Sequence, residues 1–157
     1  MAAQPTPTVA LLPIQPRYAN AIIRGEKRVE FRRRRFGREV QYVVVYASSP
    51  IRAIIGYFRI SSISEGCPRA IWESFKDVGG IEREEYFRYY QGAERAVAIG
   101  IERVCVFGSP VPLDRLSASL KAPQSYSYLT QEHVDQLLAI SSRPPHSRLS
   151  PQDGGAP

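Results

Sequence analysis

Residues 25–35, GEKRVEFRRRR, constrain this chain more than any other part of it. Gly25 lets the backbone take a positive φ at the end of a helix, and the residues beyond it alternate like a strand. On a period of two, Val29 and Phe31 share one face, and Arg28, Glu30, Arg32 and Arg34 share the other. The first face has apolar surface to bury. The second sets one carboxylate among guanidinium groups that keep their charge at any relevant pH. Arg33 falls on the apolar parity, so the strand ends before it or twists there. An anion that meets this molecule is expected to meet it here.

The charge distribution points the same way. Residues 17–39 hold nine lysines and arginines against three glutamates, and so match the net charge of the whole chain, +6. Residues 65–94 hold four basic side chains against seven acidic ones. Such asymmetry predicts a single anion-facing side rather than a uniformly basic surface.

A chain of 157 residues with 43% hydrophobic and 23% charged residues is the size and composition of one soluble domain with a real core. The expected organisation is a loose segment over residues 1–8, a domain over 9–140, and a disordered Pro/Ser/Gly-rich tail over 141–157. The apolar run from Val9 to Leu12 is broken by Pro13, and no stretch approaches about 18 apolar residues, so a cytoplasmic protein without a membrane anchor is expected. Cys67 and Cys105 form no CxxC pair, and His133 and His146 have no carboxylates at ligand spacing. Neither a metal nor a cofactor is expected.

Strands are predicted over residues 9–14, from 29 onward, and over 42–47, 53–60 and 95–107. Gly56 and the Glu102-Arg103 step mark bulges. Helices are predicted over 16–24, 68–75 and 81–90, with a last one from Thr130 to about residue 140. The helical pair within about 68–92 reads as an insertion between strands, with Ile81, Phe87 and Tyr90 packing inward and the glutamates facing water. Residues 61–68 read as a connection, and the last helix is expected to dock through Val134, Leu137 and Leu138.

The string G-x-K-x-x-E-x-R at Gly25, Lys27, Glu30 and Arg32 follows a short strand and a helix and precedes two β-rich runs. In that succession, over roughly residues 11–129, the chain resembles the ASCH family of the PUA-like superfamily. The resemblance implies an α+β fold, a small PUA-like mixed/antiparallel β-barrel flanked by helices. It also implies that Lys27 and Glu30 line a cleft beside the barrel that receives RNA or a modified nucleoside. In amidohydrolase relatives a nucleophilic Thr stands where this chain has Glu30, and a carboxylate is a poor substitute for a hydroxyl in acyl transfer. Other relatives have ribonuclease activity attributed to Lys, Tyr and Ser residues, for which Lys27, Tyr46, Ser48 and Ser125 are available.

The expected function is therefore an RNA-binding or modified-nucleoside-recognising module for single-stranded nucleic acid. Lys27, Glu30 and Arg32 would line the cleft, and Arg33, Arg34 and Arg35 would hold phosphates. Tyr46, Ser48, Ser125 and Tyr126 would lie alongside, with aromatic rings to stack on bases. One alternative is a slow ribonuclease or nucleoside amidohydrolase with Lys27 and Glu30 as catalytic candidates, since a buried Lys loses its proton readily. Another is a regulatory protein that binds an acidic partner. The plainest alternative for Lys27 and Glu30 is an ion pair that holds the corner between helix and strand.

Overall fold

The computed structural model describes residues 5–141; the first four residues and the tail from 142 to 157 lie outside the described residues, and with them most of the tail expected to be disordered. The chain runs β1 (Val9–Ile14), α1 (Pro16–Ile23), β2 (Val29–Arg32), β3 (Tyr42–Ala47), β4 (Ala53–Gly66), α2 (Pro68–Phe75), α3 (Arg83–Tyr89), β5 (Ala96–Val111), a 3-10 turn (Leu113–Arg115), β6 (Ser127–Leu129) and α4 (Gln131–Ser141). The six strands form one mixed sheet in the order β2-β5-β4-β3-β1-β6. Only the β1–β3 pair is parallel, and α1 supplies part of its crossover. The result is the α+β fold expected from the sequence, a curled sheet that forms a barrel without closing it: among the described residues no ladder joins β2 to the β1–β6 edge.

Alternation along each strand sorts the apolar side chains into an inner and an outer set. Ala10, Leu12 and Ile14 of β1, Val43, Val45 and Ala47 of β3, and Val97 and Ile99 of β5 meet Ala19 and Ile22 of α1 in the barrel interior. Val9, Leu11, Val44 and Tyr46 point outward and are covered by Leu113 and by Leu137 of α4. At the other end of the sheet, Val29 and Phe31 of β2 and Ala96 and Ala98 of β5 pack under Ile71 and Trp72 of α2, Tyr86 of α3 and Tyr90 just past its end. Every apolar residue of β2 thus belongs to an outer layer. Its other parity, Glu30 and Arg32, faces the side that elsewhere is core.

Some expectations need correction. β4 runs on to Gly66 where a connection was predicted, because Ser64, Glu65 and Gly66 pair with Ala98, Val97 and Ala96 of β5. Long-range pairing here overrides a local sequence poor in strand formers. β6, not predicted, is three residues pairing with β1. In α3 it is Tyr86, fully buried, that anchors the helix, with Phe87 only partly buried, and in α4 Leu138 faces solvent. The bulge at Gly56 is present as a register shift between Ile54 and Gly56, and a Cβ at Gly56 would lie 2.3 Å from the Cys105 carbonyl oxygen. Arg103 takes φ 48° at the step predicted between Glu102 and Arg103.

Candidate functional site

The corner between α1 and β2 is built by backbone bonds that the sequence allows. Gly25 takes φ 77° and its N–H reaches the Ile22 carbonyl, while the amides of Glu26 and Lys27 both reach Ala21. The turn drives the Lys27 side chain inward, leaving it 2% exposed. Its Nζ donates to the Gly79 carbonyl at 2.5 Å and lies 5.3 Å and 5.0 Å from the ring centroids of Tyr18 and Phe31. Gly80, at φ 60°, lies so close that a Cβ would stand 2.8 Å from the Lys27 Cβ. Burial pushes the Lys27 ammonium below the usual lysine range, an effect the Glu30 charge partly offsets.

Glu30 is 7% exposed, and its Oε2 is buried with no hydrogen-bond partner. Burial pushes its carboxyl up, against the pull of Lys27 and Arg32. The simple ion pair between Lys27 and Glu30 is not formed: among the described residues the Lys27 ammonium bonds to a carbonyl instead. Three neighbouring side chains likewise direct hydrogen bonds elsewhere. The Tyr18 hydroxyl donates to Glu85, the Tyr90 hydroxyl to the Arg32 carbonyl, and Arg32 to backbone oxygens.

The arginine run divides into distinct roles once β2 ends at Arg32, before Arg33, one of the two outcomes that the parity allowed. Arg32 spans the open seam of the barrel, with Nη1 on the Pro13 carbonyl at 3.3 Å and Nη2 on the Ser125 carbonyl at 2.7 Å. Arg33 donates to the Tyr89 carbonyl at the C-terminus of α3, where a cation suits the exposed carbonyls, and lies over the Tyr89 ring. Arg35 pairs with Glu65 at 3.2 Å. Arg34 is exposed and, among the described residues, has neither a hydrogen bond nor an ion pair. Arg28 precedes the strand and stays outside the group.

These side chains surround a cleft of about 970 Å³ at the seam. One wall is the end of β1 and start of α1, with Pro13, Arg17 and Tyr18; another is α3, with Glu85, Arg88 and Tyr89; residues 124–126 close the third side. Seven lysines and arginines line it against two glutamates. Glu85 was expected to face water, yet it accepts from both Tyr18 and Arg17 and bridges α3 to α1 across the cleft. Those bonds hold its carboxyl below the usual range, while burial and the same bond push the Tyr18 phenol up.

Of the ten residues singled out from the sequence, the structure gathers eight around the cleft: Lys27, Glu30, Arg32, Arg33, Arg34, Arg35, Ser125 and Tyr126. It does not bring Tyr46 or Ser48 there. Tyr46 lies on the outer parity of β3, buried in the layer under α4, and Ser48 sits in the turn after β3 with its amide on the Ile14 carbonyl. Tyr42 and Tyr57 pair with each other on that same outer face, and the Tyr128 hydroxyl accepts from the Arg38 amide. Sequence reasoning missed Arg17, Tyr18, Glu85, Arg88 and Tyr89. Their one visible signal is that Tyr89 and Arg88 end a helix whose opposite end is acidic.

Comparison with known proteins follows the same lines. The model of the ASCH domain family matches residues 12–104. The ASCH domain-containing ribonuclease of Zymomonas mobilis is 28% identical over 138 residues, which span 85% of this chain and 93% of that protein. The crystal structure of ASCH from Zymomonas mobilis superposes with a TM-score of 0.80 at 28% identity, covering 86% of this chain and 96% of that one. The N-terminal domain of Staphylothermus marinus McrB, at 12% identity and a TM-score of 0.56, covers 83% of this chain and 93% of its own and shares the fold. Among the described residues no helix is long and apolar enough to cross a membrane.

Proposed function

The chain belongs to the ASCH domain family, and from that premise we propose that it binds single-stranded RNA in the cleft at the open seam of the barrel. Arg34 and Arg88 take phosphates, Arg33 and Arg35 add to the field around them, and an unpaired base enters toward Lys27 and Glu30. Tyr89, whose ring is partly exposed at the rim, offers that base a stacking surface. The observation that carries this reading is the partnerless buried carboxylate oxygen of Glu30 in a cleft that seven lysines and arginines line. A buried polar atom without a partner is rare in folded proteins and costs stability, so its place in a cleft argues for a ligand that completes it.

The test is a salt titration. Binding of a fluorescent oligouridylate, followed by anisotropy, weakens as salt rises, and the paired substitutions Arg34→Ser and Arg88→Ser lower the log–log slope by about 0.7 for each phosphate contact removed. Unchanged affinity and slope in the double variant overturn the phosphate assignment.

A second reading, cleavage of the bound strand, has its own supporting observation: Lys27 is buried and held below the usual lysine range, which suits a group that takes up a proton. The ribonuclease of Zymomonas mobilis is a relative of comparable length. On this reading labelled RNA is cut in the presence of a chelator by the unmodified protein and left intact by Lys27→Met, which keeps the apolar stem. Cleavage that persists in the variant, or that never occurs, removes it.

A further inference from the structure

We infer that the cleft selects guanine, with the two oxygens of the Glu30 carboxylate receiving the N1–H and the exocyclic N2–H of one unpaired guanine base. This rests on the reading of the cleft as an RNA site and narrows it. Three observations lead here. Glu30 is buried, lines the cleft and has an oxygen without a donor. Four groups around it direct hydrogen bonds elsewhere: Lys27 Nζ to Gly79, Arg32 to Pro13 and Ser125, the Tyr18 hydroxyl to Glu85, and the Tyr90 hydroxyl to the Arg32 carbonyl. A ligand that enters the cleft can supply the donor this oxygen lacks.

A carboxylate is an acceptor at both oxygens, and its best partner presents two parallel N–H groups side by side. Among the four bases only guanine does so on its Watson–Crick edge. Cytosine and adenine place one amino donor beside a ring-nitrogen lone pair, which faces the second oxygen unfavourably. Uracil places its single N–H between two carbonyls. The bases of a single strand are read on these edges, because nothing else occupies them. Burial holds the Glu30 carboxyl above its ordinary range, with Lys27 and Arg32 opposing it, and two N–H donors from a guanine add to that opposition by hydrogen-bonding the ionised form.

The experiment uses a fluorescent heptauridylate with its central position replaced in turn by guanosine, adenosine, cytidine, inosine and 1-methylguanosine. The guanosine strand binds about tenfold or more tightly than the uridine, adenosine and cytidine strands, in line with the discrimination of a good bidentate pair. Inosine, which lacks the N2 donor, loses most of that gain, and 1-methylguanosine loses it all. Glu30→Gln brings the strands to a common affinity and leaves the salt dependence unchanged. Equal affinity for the four bases, with a steep salt dependence, overturns the guanine assignment and leaves RNA binding standing. Failure of every strand to bind overturns both. The base series on the unmodified protein decides the matter even where Glu30→Gln does not fold, which thermal unfolding reports.

Discussion

Two grooves meet at Arg35, and they differ in what lies beneath their charge. The second, about 670 Å³, runs along residues 35–41 and 59–63 and carries Arg35, Arg38 and Arg59 beside Glu39. Its cations stand in water: Arg59 pairs with Glu102 at 3.6 Å with both side chains close to half exposed. The seam cleft is also basic, but its floor holds Lys27 and Glu30, the buried charged side chains among the described residues. Exposed guanidinium groups cost a fold almost nothing and contribute little to its stability. Desolvated charge is expensive and persists where something else depends on it. Positive charge alone therefore marks two grooves, and burial separates them.

The comparison breaks most visibly through the wall behind the seam cleft. Tyr86 is fully buried, makes edge and tilted contacts with Phe31, Trp72 and Tyr90, and donates to the Pro68 carbonyl. Tyr86→Ala is expected to lower unfolding free energy by about 3–5 kcal/mol, as large-to-small aromatic changes in cores do, and to weaken RNA binding along with it. Chemical denaturation measures the first and anisotropy the second. A stable variant with intact binding would show that the α2–α3 layer does not shape the cleft.

Next in size is Gly80→Ala. A left-handed φ and a collision with the Lys27 Cβ together cost about 2–3 kcal/mol, read as a lower denaturation midpoint. The matching change at Gly108 in β5, where a Cβ meets nothing within 4 Å and no left-handed φ is involved, provides the control.

Glu30→Gln sharpens the contrast through pH. The folded protein holds this carboxyl above its ordinary value of 4.5, so the unfolded chain ionises first as pH rises. Stability contributed by the neutral acid is fully present below the unfolded value and is lost as pH climbs through the folded one. Glu30→Gln is therefore expected to gain on the unmodified protein as pH rises from 4.5 through the raised folded value, by about 1–2 kcal/mol in all. The groups that face Glu30 are Lys27 and Arg32 beside it, Tyr18 on α1, and Tyr89 and Tyr90 at the end of α3. Lys27, with its lowered value, loses its contribution as pH falls, in both proteins. Thermal melts across pH give the difference, and a gap that does not change with pH would mean that the fold leaves the Glu30 carboxyl at its ordinary value.

The smallest effect belongs to the second groove. Arg59→Ser is expected to leave stability within about 0.5 kcal/mol and to change RNA affinity less than Arg34→Ser does. An equal or greater loss of affinity would make the two grooves one continuous track.

Much of this was legible. Val9–Ile14, Pro16–Ile23 and Tyr42–Ala47 follow from local pattern and Pro placement, because each element's neighbours agree with its own propensity. The Gly25 corner and the parity of Val29 and Phe31 located the site. Ser61 to Gly66 escaped because its strand state is decided by β5, and β6 because three residues carry no period. Lys27 and Glu30 looked like ion-pair partners from their spacing, and only the Gly79 carbonyl, fifty-two positions away from Lys27, separates their roles. Tyr46 and Ser48 followed from the resemblance to other family members, but the parity of β3 turns Tyr46 away from the seam. Glu85 read as one of several solvated acids until α1 was placed beside it.

The Arg32 strap has a mechanical consequence. Where peptide ladders join strands, spacing is set at one value and many bonds must yield together to alter it. Between β2 and the far edge, two side-chain bonds to carbonyls fix the distance instead, each worth roughly 1 kcal/mol net or somewhat more for a charged donor. Such a clasp can be undone and refastened one contact at a time, so the mouth of the barrel is the place where this fold can widen without dismantling its walls.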